Sequence, residues 1–455
     1  MNSKSFSTLK LPFAMLENLK KIGFLSMTPI QAESLPLILK NTDVIAQAKT
    51  GSGKTASFGI GILNKLDVKR FKTQALVLCP TRELADQVAK ELRLLAKFQH
   101  NIKILTLCGG VAFGPQLGSL RHGTHIVVGT PGRVLKHLNK ESLKLDNLQT
   151  LVLDEADRML DMGFIEEITN LISFVPKERQ TLLFSATYPD EILSLSKSIQ
   201  KDAINIKTSS TESKNRVKER FYEVQESAKV STLIKIFANF EPNNAIVFCN
   251  TKIECDEVAK SLQTRDIDAL ALHGDLEQYD RNDVLVQFAN GSCRVLVATD
   301  VAARGLDIKE LSLVVNYELP HLQETYTHRI GRTARAGAEG LAFTFYSDKE
   351  RADEYKNESR LFEEVSTLKD VTSFSMKPRF VTLVIEGGKK DKLRAGDILG
   401  SLTSKGELSG ADIGKIDIYD RQSYVAIKSS KIDEAYKKLT RERIKTKKFS
   451  VWILD

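Results

Sequence analysis

A series of short apolar runs constrains this chain more than any other feature. They fall at residues 44–46, 75–78, 126–128, 151–153 and 182–184, then at 246–248, 295–297 and 313–315, and each gives way at once to polar or glycine-rich sequence. Runs so short, rich in β-branched residues and apolar on both sides suit central strands of a parallel sheet, buried on both faces. Between them lie segments of helical period, such as Leu84, Val88, Leu92 and Leu95. Strand and helix in alternation imply doubly wound α/β domains, and 455 residues leave room for about three domains in all. In such sheets ligands bind beyond the carboxyl ends of the strands, so the chemistry is expected there.

The first run is followed by Gln47 and then AKTGSGKT, comprising Ala48, Lys49, Thr50, Gly51, Ser52, Gly53, Lys54 and Thr55. This fits a phosphate-binding loop, with Ala48 standing where the pattern usually has its first glycine. Gly51 and Gly53 let the backbone turn its N–H groups toward phosphate oxygens. Lys54 adds a point charge at the β- and γ-phosphates, and the Thr55 hydroxyl can ligate Mg²⁺. The run at 151–153 ends in Asp154-Glu155-Ala156-Asp157. Asp154 is placed to hold Mg²⁺ directly or through water, and Glu155 to orient and deprotonate a water attacking the γ-phosphate. Acidic residues after a strand are often mere solvated turns; beside a phosphate loop they become an ATPase signature.

With these motifs the chain resembles the DEAD-box RNA helicases, from about Phe6 to Gly337. The segment Gly23-Phe24-Leu25-Ser26-Met27-Thr28-Pro29-Ile30-Gln31 is similar to the family's Q motif, preceded by the isolated aromatic Phe6. The resemblance implies that Gln31 reads the adenine edge, as bidentate amides do in DNA, beside Thr28, and that Phe6 and Phe24 cover the adenine face. Pro80-Thr81-Arg82, Gly109-Gly110 and Thr130-Pro131-Gly132-Arg133 resemble its RNA-backbone contacts, combining helix N-termini, glycines and arginines. Ser185-Ala186-Thr187 resembles the motif coupling hydrolysis to strand separation; its hydroxyls can bond Asp157, which could equally be a structural tie.

The second domain has no phosphate loop. The resemblance gives it Thr251, Arg281, Thr299 and Arg329 as RNA contacts, Gly305 and Asp307 toward ATP, and His328 in coupling. Arg332 and Arg335 resemble arginine fingers, spaced by three on an expected helix start so that both face a γ-phosphate held by the other domain. RNA bridging two such half-sites would favour their closure and make RNA and ATP binding mutually reinforcing.

From Val371 onward there are 18 Lys+Arg against 11 Asp+Glu, a net charge of +7, while the rest of the chain stands at +1. Segments 380–385, 413–418, 423–427 and 448–454 are strand-like, and 392–402 and 431–439 helical. The order βαββαβ suggests an RNA-recognition-motif fold. Its usual stacking aromatics are mostly missing, with Thr382, Gln422 and Tyr424 at those positions and Tyr424 the one candidate for stacking. The stretch around Gly387-Gly388-Lys389-Lys390-Asp391-Lys392, Arg394 and Gly410-Ala411-Asp412 resembles the C-terminal domain of the bacterial DbpA group of that family. This implies RNA contacts at Lys389, Lys390, Lys392 and Arg394, and a 23S ribosomal RNA hairpin near the peptidyl-transferase centre as target, met during large-subunit assembly.

The expected architecture is therefore two tandem RecA-like parallel α/β domains, at 1–207 and 208–370, followed by a small α+β RRM-like domain at 375–455. The expected activity is RNA-stimulated ATP hydrolysis with local, non-processive unwinding, using ATP and Mg²⁺. No apolar run of 18 residues occurs and the N-terminal sequence does not read as a secretory signal. Five cysteines without a C-x-x-C pair suit a reduced cytoplasmic protein, with a monomer as the default. A DNA-directed translocase and a non-hydrolysing RNA clamp are the rival readings, opposed by the Q motif and by the full set of ATPase residues respectively.

Overall fold

The computed structural model describes residues 5–47, 51–207, 217–303, 311–320, 322–333, 340–348, 350, 352–356, 360–406 and 408–454. They form two compact units, one reaching Lys207 and the other starting at Val217.

The first unit is built on seven parallel strands: β1 Val44–Gln47, β2 Ala75–Leu78, β3 Ile104–Leu107, β4 Ile126–Gly129, β5 Thr150–Asp154, β6 Gln180–Ser185 and β7 Ile204–Lys207, in the order β3-β4-β2-β5-β6-β1-β7. Apolar clusters cover both faces, one including Val77, Val152 and Leu182 and the other Leu76, Leu151 and Leu183. Burial on both faces is why these strands lack any polar alternation. The helix Arg82–Leu95 buries Leu84, Val88, Leu92 and Leu95, the stripe its period predicts.

The second unit holds two sheets. The larger is again parallel, with β8 Val217–Glu223, β9 Ala245–Cys249, β10 Ala269–Leu272, β11 Val295–Thr299, β12 Leu313–Asn316, β13 Gly340–Tyr346 and β14 Arg360–Glu363 in the order β10-β11-β9-β12-β13-β8-β14. The smaller is antiparallel, with β15 Phe380–Ile385, β16 Ile413–Ile418, β17 Ser423–Lys428 and β18 Val451–Ile453 in the order β16-β17-β15-β18. Helices Ala395–Thr403 and Ile432–Arg441 pack on one face of it and complete the expected βαββαβ order.

The segment leading to the small sheet is not a free tether. Met376, 1% exposed, belongs to the core of the larger sheet and forms a parallel bridge with Ile267. The other face of the small sheet lies on helix Gln278–Asn290 of the larger domain. Val286 packs with Val384, Tyr424, Trp452 and Leu454. The Tyr424 hydroxyl donates to Asp283 at 2.8 Å, and Thr382 joins Asn290 and Ser292 at 2.8 Å each.

The five cysteines are buried free thiols. No helix among the described residues is long and apolar enough to cross a membrane.

Candidate active site and nucleic-acid interface

Parallel pairing puts three chemically loaded strand ends side by side. Asp154 at the end of β5 is in register with Phe184 of β6, and Ser185 after it with Gln47 of β1. The phosphate-binding motif, the acidic tetrad and Ser185-Ala186-Thr187 therefore share one rim, and the Gln47 amide donates to the Ala186 carbonyl at 3.1 Å.

Gly51 and Gly53 take φ of +82° and +94°, conformations only glycine adopts cheaply. Helix Lys54–Lys65 starts directly after them, so its first N–H groups and dipole face the loop. A Cβ on Gly53 would also lie 2.5 Å from the Gln31 amide nitrogen. That amide is already committed: it accepts from the Thr28 N–H at 2.9 Å and donates to the Gly53 carbonyl at 3.1 Å. Gln31 thus braces the loop from the start of helix Pro29–Ile38, a task the adenine-reading expectation did not include. Phe6 is 4% exposed within the core and meets Phe24 edge-on at 6.3 Å, so of the two only half-buried Phe24 keeps appreciable surface.

Lys54 is buried, as are Asp154, Glu155 and Asp157. Burial, countered by Lys54 and reinforced by Glu155, pushes the Asp154 carboxyl above the usual range. Among the described residues the Asp154 Oδ1, Ser52 Oγ and Thr28 Oγ1 atoms are buried without hydrogen-bond partners. Orphaned polar atoms of this kind fit a rim built for a polar, charged ligand and a hard cation. Glu155 adopts φ +55°, ψ 54° immediately before helix Ala156–Asp161, a left-handed backbone costing about 1–3 kcal/mol in a non-glycine residue. Arg158, missed by motif reading, meets Glu155 Oε2 at 2.7 Å in a pair whose side chains are 2% and 5% exposed. The signal available for it was a basic residue at i+3.

Asp157 makes the expected tie to the third motif. Its Oδ2 accepts from the Ala186 and Thr187 N–H groups at 3.1 and 3.0 Å and from the Thr187 hydroxyl at 3.2 Å, while its own N–H donates to Ser185 Oγ at 3.2 Å.

The basic residues of the same unit sit at helix starts. Thr81 caps helix Arg82–Leu95 by accepting from Leu84 N–H, and the Arg82 guanidinium lies so close over Gly110 (φ +71°) that a Cβ there would be 1.5 Å from it. Pro80 is buried before it. Thr130, Pro131 and exposed Gly132 open helix Pro131–Asn139, where Arg133 reaches the Val111 carbonyl at 3.0 Å and Gln116 at 2.8 Å. Open glycines beside arginines can take phosphate.

In the second unit Thr251 caps helix Lys252–Gln263 and is exposed, Arg281 donates to the Ala302 carbonyl at 2.7 Å, and Thr299 ends β11. Three expectations need correction. Arg329 is 1% exposed and cannot touch RNA. Its guanidinium forks both Asp300 oxygens at 2.8 and 2.7 Å and reaches Asn250, Asn316 and the Glu318 carbonyl, tying the ends of β9, β11 and β12 together. Tyr424 is 4% exposed against helix Gln278–Asn290 and has no open face for a base. Arg332 lies in the turn past the end of helix Gln323–Ile330, not at a helix start, and is 4% exposed. His328 is half-buried on that helix. Ala48, Lys49, Thr50, Gly305, Asp307 and Arg335 lie outside the described residues.

The Arg329 network gives a clean expectation. Arg329→Ala strands Asp300, whose side chain keeps 24% of its surface, so the loss should fall near the lower end of the buried-pair range, about 3 kcal/mol. A urea melt of the second unit reads it. Lysine cannot restore the fork, and an unshifted midpoint for Arg329→Lys would refute the tie.

On the small domain, Lys389, Lys390, Lys392 and Arg394 are exposed on a loop whose backbone is fixed by bonds from the Lys389 and Lys390 N–H groups to Tyr419 and Asp420 carbonyls, at 2.8 and 3.0 Å. Lys445 and Lys447 border the same loop, through Asp397 and Asp391.

Residues 28–195 match the DEAD/DEAH box helicase family, 228–337 the helicase conserved C-terminal domain, and 382–453 the DbpA RNA binding domain. The ATP-dependent RNA helicase DbpA of Escherichia coli is 52% identical over 99% of both chains. This chain belongs to the DEAD-box RNA helicases. As such it is an ATP-dependent RNA helicase with a C-terminal RNA-binding domain. The DEAD-box helicase CshA of Geobacillus kaustophilus is 45% identical over 76% of this chain and 74% of its own. Among solved structures, S. cerevisiae Dbp5 bound to RNA and ADP BeF3 superposes with a TM-score of 0.73 at 31% identity, over 80% of this helicase and 96% of Dbp5.

Proposed function

We propose that this helicase acts in the cytoplasm, as a monomer, on 23S ribosomal RNA during large-subunit assembly, and that its C-terminal domain selects a hairpin near the peptidyl-transferase centre. The match of residues 382–453 to the DbpA RNA binding domain carries this reading, with the net charge of +7 from Val371 onward in support.

In the ATPase site, Phe24 covers the base and Gln31 reads its edge with the second N–H and second oxygen lone pair that its bonds to Thr28 and Gly53 leave over, and the backbone from Ala48 to Gly53 cradles the phosphates. Lys54 pairs with the β- and γ-phosphates. Thr55 and Asp154 hold Mg²⁺, which when bound neutralises charge on the phosphate oxygens. Glu155 takes a proton from the attacking water. Arg332 and Arg335 stabilise charge that develops on the transferred group. The bonds from Asp157 to Ser185 and Thr187 carry a change at the phosphate rim toward the neighbouring motif, and His328 takes part in coupling. RNA backbone is held by Pro80, Thr81, Arg82, Gly110 and Thr130–Arg133 on one domain, and by Thr251, Arg281 and Thr299 on the other.

With the sheet face covered, hairpin selection falls to the exposed basic loop carrying Lys389, Lys390, Lys392 and Arg394. The test is a core ending after Lys377, which keeps Met376 in its packing. It should hydrolyse ATP with RNA but show little preference for the 23S hairpin over arbitrary RNA. In the full chain each loop residue changed to Ala should flatten the salt dependence of binding by about 0.7–0.9 of a log unit per lost phosphate contact. A truncated core that still prefers the hairpin would place selection in the helicase domains.

A further inference from the structure

We propose that Arg158 is a positioning residue for hydrolysis, holding the Glu155 carboxylate in the orientation from which it acts on water. The inference rests on the reading of Glu155 as general base. Three observations carry it. The Arg158 Nη1 lies 2.7 Å from Glu155 Oε2, with both side chains withdrawn from solvent at 2% and 5% exposure. Glu155 stands in a left-handed backbone conformation, at φ +55°, between the strand end at Asp154 and helix Ala156–Asp161, so its side chain leaves the chain at an angle that ordinary helical packing does not fix. The backbone that carries Arg158 is held in turn. Its main-chain N–H donates to Asp157 Oδ1 at 3.1 Å, and Asp157 is gripped by the Ala186 and Thr187 N–H groups at 3.1 and 3.0 Å.

The chain of contacts runs from the end of β6 through Asp157 and Arg158 to Glu155. A buried guanidinium offers planar donors in a fixed fork, and its attraction for a carboxylate is strong where water is scarce. With Oε2 held, the plane of the carboxylate is set before substrate arrives, and the proton lost by water as its oxygen bonds to the γ-phosphorus and the bond to ADP breaks has a fixed acceptor. Arg158 need not touch ATP or water for this. A mere stabilising ion pair would support folding and leave rate constants untouched once the protein is folded.

The experiment compares RNA-stimulated ATP hydrolysis, ATP affinity and thermal unfolding in Arg158→Gln, Glu155→Gln and the double variant of the full chain. The expected result is a fall in kcat of about 10²-fold for Arg158→Gln, the size associated with displacement of a reacting group by about 1 Å, with KM for ATP essentially that of the parent, since no ground-state contact is lost. In the Glu155→Gln background, read by single turnover, Arg158→Gln should cost nothing further, because there is no base left to position. Parent-like kcat in Arg158→Gln, a change in KM alone, or an equal loss in both backgrounds would each overturn the proposal. If Arg158→Gln does not fold, Arg158→Lys keeps the charge without the planar fork. A lowered kcat at normal KM then supports positioning, because lysine lacks the fork, and a parent-like kcat overturns it. Near-parent turnover in Glu155→Gln itself would instead remove the general-base reading on which the proposal stands.

Discussion

Glu155→Gln is expected to bind ATP and RNA as the parent does and to stop turning over. Binding is assigned to Lys54, the loop amides and the Gln31 brace, none of which the substitution alters, while the isosteric amide keeps an oxygen for Arg158 but cannot take a proton. Loss of a general base costs about 10²–10⁴ in rate. Because only the chemical step is blocked, the ATP- and RNA-bound form should accumulate, visible as slow RNA release in the presence of ATP. Nucleotide titration and single-turnover hydrolysis separate the two effects. A fall in ATP affinity as large as that of Lys54→Ala would mean that Glu155 serves binding, and the assignment would fail.

Arg335→Ala should lower turnover by about 10³–10⁵, the range associated with arginine fingers. ATP affinity should change little, because a finger interacts with charge that exists only in the transition state. Arg332 makes a less decisive target. It is 4% exposed in the turn after helix Gln323–Ile330, so Arg332→Ala confounds a rate effect with a packing defect, and a melting curve must accompany its kinetics. Near-normal RNA-stimulated turnover in Arg335→Ala would show that this arginine is not a finger.

The strands that the sequence reveals are those sealed on both faces, such as Ala75–Leu78, with no exposed position. The four edge strands of the two parallel sheets are less legible. β3 and β10 are half-exposed at their centres, β7 buries one residue in four, and β14 is open at Leu361. β8 hides for another reason: Lys218, Glu219 and Arg220 interrupt it, and two of these charges are neutralised by β14, Glu219 by Arg360 at 2.7 Å and Arg220 by Glu363 at 3.0 Å. Candidate site residues were readable where they end a strand or follow it directly, as Asp154 and Glu155 do. Arg329 was not, because an arginine looks the same in sequence whether it reaches outward or inward. Its partners Asp300 and Asn250 lie 29 and 79 residues away. For Tyr424 the deciding partner, Asp283, lies 141 residues earlier. The positions where an RNA-recognition fold usually carries aromatics were read as depleted of them; that this depletion marks a seam between two domains of the same chain needed helix Gln278–Asn290 in view.

That seam bears on how such helicases can be recombined. A chimaera that moves residues from 378 onward to another helicase core transports one half of a matched surface. Thr382, Val384, Tyr424 and Trp452 would arrive without Asn290, Ser292, Val286 and Asp283, and an apolar patch with an unpaired hydroxyl would face water or a stranger's helix. The exchangeable cassette therefore includes helix Gln278–Asn290 and the turn after it. A graft made at the linker alone should be recovered as poorly soluble protein unless the host helix already carries an acidic residue and a small apolar one at the positions of Asp283 and Val286.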